Sequence, residues 1–294
     1  MAKRRELERQ IATFRDISEI VEAMKNLALV EVRRINAFID AQRRSVDIVE
    51  DALADFFDAC PAHRAQPETS GDVWCVIGSE RGFCGDFNLA LAGEARSLID
   101  RGERPAAIVL VGANLASAWD GPADAVCTGA SVADEVPGVM AGLAERIGAA
   151  MRPRPGLAPR GLVLLMHDDG RPRLRRLLPL PATGREAPAR DARIDLNLAP
   201  AAFLEAALRQ FLFAAPLALL YESLLSENQR RLDHMDRALR KLDDRLAEFD
   251  RKRNRLRQEE ITEEIELILL NAERPDGRRA PAPKKPANSL QEMR

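Results

Sequence analysis

From Leu7 to Phe56 apolar residues return every three or four positions, at Leu7, Ile11, Phe14, Val21, Ala28, Val32, Ile35 and on to Leu53 and Phe56. Only Ser18, Lys25 and Gln42 break this seam, and no glycine or proline interrupts the segment. A sustained 3.5-residue repeat predicts a coiled-coil helix over residues 1–58, roughly 80 Å long at about 1.5 Å per residue. Two prolines, a glycine and polar residues between Cys60 and Asp72 end it. The pattern then changes. Val73–Gly78, Ala106–Gly112 and Leu162–His167 are short apolar runs of the kind found in buried strands. Helical stretches, Asn88–Asp100 and Ala133–Met151, alternate with them, and Leu174–Leu180 suits an edge strand because of Pro179. Alternation of this kind predicts a parallel, Rossmann-like α/β domain over residues 72–200.

A second helical seam begins at Leu232 and runs through Met235, Leu239, Leu242, Leu246, Phe249, Arg253 and Leu256. After a phase shift it continues as Ile261, Ile265, Ile268 and Leu269. Pro216 kinks this helix or sets its start, and the segment 201–273 is the second arm. The tail, residues 274–294, holds prolines and mixed charge and is expected to be disordered. Two helices of similar length flanking one α/β domain predict an antiparallel two-helix coiled coil with residue i opposite roughly 274 − i. Leu7 would then meet the region of Leu267, and Phe56 the region of Ala218. A domain of that size has a radius of gyration near about 14 Å, so most of the coil would protrude as a lever, tether or shaft. Ile265, Ile268 and Leu269 at its far end either mark a binding surface or cap the seam.

Charge sharpens this picture. Of 294 residues 31% are charged, yet the formal net charge is −2, the mark of solvated or salt-bridged helices. Aromatics reach only 4%, and no basic excess interleaved with aromatics points to nucleic acid. Cys60, Cys75, Cys84 and Cys127 form no metal-ligand spacing and read as free thiols, while His63, His167 and His234 are scattered. No metal or cofactor is therefore expected. The N-terminus lacks an apolar leader core and no apolar run of about eighteen residues is evident, so the chain is expected to be soluble and not to insert into a bilayer. Arg81–Asn88 invites comparison with a phosphate loop, but it has neither GxGxxG nor GxxxxGK[ST]. Its glycines are better read as permitting a tight strand-to-helix turn.

Three motifs together carry a family resemblance. Ser18–Arg34 (SEIVEAMKNLALVEVRR), Gly78–Asn88 (GSERGFCGDFN, with Arg81, Gly82, Cys84, Gly85 and Asn88 in matching places) and Arg253–Ile268 (RNRLRQEEITEEIELI) stand in order and at the right distances. They resemble the gamma subunit of F-type ATP synthases. Asp86 stands where that family commonly has Gly, and Leu239, Arg240 and Lys241 replace small residues, which points to a divergent subclass.

The resemblance implies a non-catalytic central rotor shaft, coupling ion flow through a membrane ring to ATP synthesis or hydrolysis. Its implied partners are three alpha and three beta subunits, an epsilon-type subunit and the membrane rotor ring of a proton- or sodium-translocating complex. The implied location is peripheral, on the cytoplasmic face of a bacterial inner membrane. It further implies that Arg257 and Gln258, with Arg253 and the first-helix Met24 and Lys25, contact loops of the beta subunits. Without it, a solvated helix face stands as the alternative for Arg257 and Gln258, core packing remains open for Met24, and i,i+4 pairing accounts for much of the basic block 251–257 beside the acidic 259–264. Two other readings stand beside the shaft: a nucleotide-binding enzyme using the α/β domain, and a coiled-coil adaptor.

Overall fold

The computed structural model describes residues 2–64, 68–180 and 196–272. The tail expected at 274–294 lies outside the described residues. The chain is a mixed α/β protein with long N- and C-terminal helices, and its described residues divide into two compact units, one from 2–17 and 242–272 and one within 18–241.

The N-terminal segment is two helices, α1 (Ala2–Asn36) and α2 (Ile39–Ala59), instead of one. The chain turns at Ala37 and Phe38, where the backbone of Phe38 (φ −132°, ψ −7°) leaves the helical region. No proline or glycine causes the break. It accompanies an edge-on contact of the Phe38 ring with Tyr221, 4.9 Å between centroids, and it leaves Ile35 and Ile39 buried on either side. Tertiary packing here overrides local helix propensity. The expected seam otherwise holds: every position from Leu7 to Phe56 in the 3.5 repeat is buried or half-buried.

The C-terminal helix α6 spans Pro200–Ala272 and runs through Pro216 without ending. In the first unit Phe14 meets Phe249 edge-on at 5.2 Å and Arg4 pairs with Glu260 at 2.9 Å. In the second, Lys25 pairs with Asp236 at 2.6 Å, Arg43 with Glu222 at 2.8 Å, and Phe56 stacks on Phe203 at 5.1 Å. As one number rises its partner's falls, so the helices pair antiparallel within each unit. The register departs from 274 − i: Phe56 lies against Phe203, not the region of Ala218, because α6 starts well before Leu217. Leu267, expected opposite Leu7, is instead 61% exposed.

Between these helices the chain folds a five-stranded sheet in the order β3-β2-β1-β4-β5. The strands are β1 (Asp72–Ile77), β2 (Pro105–Val111), β3 (Ala125–Cys127), β4 (Gly161–Asp168) and β5 (Arg171–Leu178). The first four are parallel, whereas β5 is antiparallel to β4, so the sheet is mostly and not wholly parallel. A two-residue turn makes this reversal: Asp169 (φ 48°) and Gly170 (φ 74°) both adopt the left-handed conformation that suits a tight hairpin. Helices α3 (Phe87–Asp100), α4 (Ala113–Ala118) and α5 (Val136–Ala150) make the crossovers.

Alternate strand residues face opposite cores. Val73, Cys75, Ile77, Val109 and Leu164 pack with α2, α5 and α6, while Trp74, Val76, Leu110 and Leu165 pack with α3 and α4. One stretch of α6 is long and apolar enough by length and composition to cross a membrane, with mean hydropathy 1.5 over eighteen residues, contrary to the sequence expectation. Its apolarity has a use inside the fold, since Phe211, Ala214, Ala218, Leu219 and Leu220 are buried in the core that α6 shares with α2 and the sheet.

Candidate functional site

The strand order decides where a ligand site would form. In an open doubly wound sheet, the crevice lies at the carboxyl ends of the two strands whose crossovers leave on opposite faces. Here the strand order reverses between β1 and β4: the chain leaves β1 through α3 on one face and, after β3, crosses back to β4 through α5 on the other. The loop 78–86 follows β1, and the turn 169–170 follows β4.

Side chains of α6 fill this crevice. Ser223 Oγ donates to the Ile77 carbonyl at 3.3 Å, and Ser226 Oγ to the His167 carbonyl at 3.4 Å. Arg230 donates to the Gly170 carbonyl and pairs with Asp86 at 3.2 Å. Arg231 donates to the Gly82 carbonyl through Nε at 3.3 Å and through Nη2 at 3.4 Å. The same guanidinium pairs with Glu227 and donates to Asn228 Oδ1. Ser223, Ser226, Glu227, Asn228 and Arg231 are all buried. Burial pushes the Glu227 carboxyl up to about 7, against the opposing pull of Arg231.

The loop motif Arg81, Gly82, Cys84, Gly85 and Asn88 comes together at this place. Asn88 accepts from the Ser79 backbone N–H at 3.0 Å and donates to Ser79 Oγ at 2.8 Å, and Cys84 Sγ lies 3.4 Å from the same hydroxyl. Gly85 uses its freedom at φ +68°, beside His234. Gly82 does not need its own; it supplies the carbonyl that Arg231 holds, and the left-handed residue is instead Phe83 (φ 65°), whose side chain is exposed. Arg81 is exposed, and its carbonyl lies 3.9 Å from Cys84 Sγ. Glu80 accepts from the N–H of Ala113 at 2.9 Å and of Gly129 at 2.7 Å, tying the loop to the segments that follow β2 and β3. Burial raises the Cys84 thiol above its ordinary range, which does not suit it to act as a nucleophile. Burial likewise lowers the His167 pKa, and its ring stacks on Phe87 at 3.9 Å.

The residues singled out for partner contact fall in both units. In the unit of residues 18–241, Met24 and Lys25 are half-buried, and Lys25 sits on the seam with its ammonium on Asp236. In the other unit, Arg257 and Gln258 are exposed on α6, while Arg253 is half-buried and held by Asp250 at 2.9 Å. Ile265, Ile268 and Leu269 are 52%, 61% and 56% exposed. They stand beyond Glu260, which already pairs with Arg4 near the start of α1. Sequence reasoning passed over the buried Glu227–Arg231 pair; its signal was an i,i+4 Glu-to-Arg spacing directly after the longest apolar run. Among the described residues no cluster of His, Cys, Asp or Glu is placed to hold a metal ion.

A family model described as ATP synthase matches residues 3–147 and 167–273. The ATP synthase gamma chain of Saccharopolyspora erythraea is 24% identical over 308 aligned positions, covering 92% of this chain and 96% of that one. The ATP synthase gamma chain of Moorella thermoacetica is 26% identical, covering 93% and 99%. Among solved structures, a chain of the Euglena gracilis mitochondrial ATP synthase rotor is similar over 88% of this chain and 99% of its own, with a TM-score of 0.57 at 16% identity. A chain from the OSCP/F1/c-ring structure of the same organism's ATP synthase covers 97% of this chain at a TM-score of 0.61.

Proposed function

This chain belongs to the ATP synthase gamma-chain family, and from that premise we propose that it is the central rotor shaft of an F-type ATP synthase. In this reading residues 1–58 and 201–273 form an antiparallel two-helix coiled coil, and residues 72–200 form the foot. The shaft stands in a ring of three alpha and three beta subunits. The foot binds an epsilon-type subunit and the membrane rotor ring, at the cytoplasmic face of a bacterial inner membrane. Ion flow turns the ring, the shaft turns with it, and its asymmetry drives each beta subunit through different nucleotide affinities. ATP hydrolysis runs the same coupling backward. The chain itself is non-catalytic; bond making belongs to the beta subunits.

The observation that carries this reading is the family match along nearly the whole chain. The structure supports it physically. The crevice where an open α/β sheet would take a nucleotide is filled by Ser223, Ser226, Arg230 and Arg231. The exposed Arg257 and Gln258 are proposed contacts for loops of the beta subunits, with Arg253, Met24 and Lys25. Arginine's planar five-donor fork suits contacts that form and break against acidic loops. Ile265, Ile268 and Leu269 are the proposed shaft tip, where exposed apolar surface meets the ring.

Co-expression with alpha and beta subunits, followed by particle imaging and an ATPase assay, tests the proposal. One copy of the chain lodged in a six-membered ring, with stimulated hydrolysis, is the expected result. A chain that binds a partner without entering the ring points to an adaptor and removes the shaft reading.

A further inference from the structure

Five residues of α6, Ser223, Ser226, Glu227, Arg230 and Arg231, recur at helical spacing and lie on one face of the helix. Four of them donate side-chain hydrogen bonds to backbone carbonyls of the α/β domain, and the fifth, Glu227, anchors Arg231. The acceptors are spread over both central strands and the segments after them: Ile77 at the end of β1, Gly82 in the loop beyond it, His167 near the end of β4 and Gly170 in its hairpin turn.

Simple adhesion would not require this. About one to three turns earlier, the same helix holds the core through Phe211, Ala215, Leu219 and Leu220. Apolar burial is non-directional: it opposes separation but distinguishes poorly between neighbouring rotations or registers of a helix. Hydrogen bonds to fixed carbonyls weaken steeply with distance and angle. A slide of one residue, about 1.5 Å, or a twist about the helix axis therefore disturbs all four together. A shift that kept this face buried would also take the Gly82 carbonyl from the Arg231 guanidinium and leave buried N–H groups without an acceptor, which is unfavourable.

We propose that this polar face is the torque joint of the molecule, the contact that locks the rotation and register of α6 to the carboxyl edge of the sheet. The inference rests on the rotor reading and assigns positioning roles to Ser223, Ser226, Arg230 and Arg231, with Glu227 holding Arg231 in place. The sheet's crevice has thereby become a socket for the chain's own helix.

The test uses the complete membrane complex containing the full chain, with ATP hydrolysis and ATP-driven ion uptake measured side by side. The double variant E227Q/R231M removes both buried charges at once, and R230M removes the partly buried arm without leaving a buried charge behind. The expected result is unfolding temperature and assembly close to wild type, hydrolysis maintained, and ions moved per ATP lowered below the wild-type ratio, because the helix can then slip against the sheet without losing fixed hydrogen bonds. The joint is overturned if both variants keep the wild-type ratio. It is equally overturned if ion uptake falls only in proportion to lost assembly, because the face then serves folding alone. A wild-type chain that assembles no coupled complex removes the rotor reading, which is a different failure.

Discussion

Glu227 is a carboxyl held almost wholly out of water. Its carboxyl is buried beside Arg231, with Glu80 and Arg81 also acting on it, and burial pushes it up to about 7 from an ordinary 4.5. The folded chain therefore keeps this proton at pH values where the unfolded chain has released it. Stability from this group is fully present below about pH 4.5 and is lost as pH rises toward 7, by an amount on the order of 3 kcal/mol. Urea denaturation of wild type between pH 5 and 8 should show that decline, and E227Q should flatten it. Arg257 and Gln258 make the opposite case. Both are exposed, so alanine at either should change stability by no more than about 0.5 kcal/mol. If they meet beta-subunit loops, the same substitutions should lower ATPase stimulation in the assembled ring. Unaltered stimulation by the double alanine variant would remove them from the contact.

Helix α1 presents two apolar stripes of unlike worth. Ile35 is fully buried, whereas Ile20 is 60% exposed. Ile35→Ala should cost about 2–4 kcal/mol, the transfer loss plus an unfilled cavity. Ile20→Ala should fall within about 0.5 kcal/mol, and chemical denaturation of both variants measures the contrast. The 3.5 repeat picked out the first stripe correctly because burial along α1 and α2 follows that period through Phe56. Strands β1, β2 and β4 were equally legible as apolar runs, and α3 and α5 as the helices between them. Other features were hidden from periodicity. Strand β3 has three residues and α4 six, too few for any period to register. The direction of β5 was decided by Asp169-Gly170, a two-residue hairpin signal, and not by the strand's own composition. The break at Phe38 and the actual register of α1 and α2 on α6 depend on contacts with Tyr221 and Phe203, residues far away in sequence. The polar face on α6 was not read from the sequence, because its partners are backbone carbonyls, which carry no sequence signal.

At the scale of the whole molecule, stability and coupling should be separable. Residues 18–241 form one compact unit containing the sheet, both apolar cores and the polar face of α6. Arg257 and the described residues after it belong to the other unit. Ending the chain before Arg257 removes Glu260, the partner of Arg4, and the exposed Ile265, Ile268 and Leu269, but no residue of either core cluster. The truncated chain should therefore keep the main unfolding transition of wild type in calorimetry, since core burial sets it. In an alpha/beta ring the same truncation should weaken torque and coupling, because the proposed beta-loop contacts Arg257 and Gln258 and the apolar tip are gone together. Single-molecule rotation compared with bulk hydrolysis reads this directly. Full torque from the truncated chain would mean that the shaft grips its ring elsewhere, and Met24 and Lys25 would then have to carry the contact.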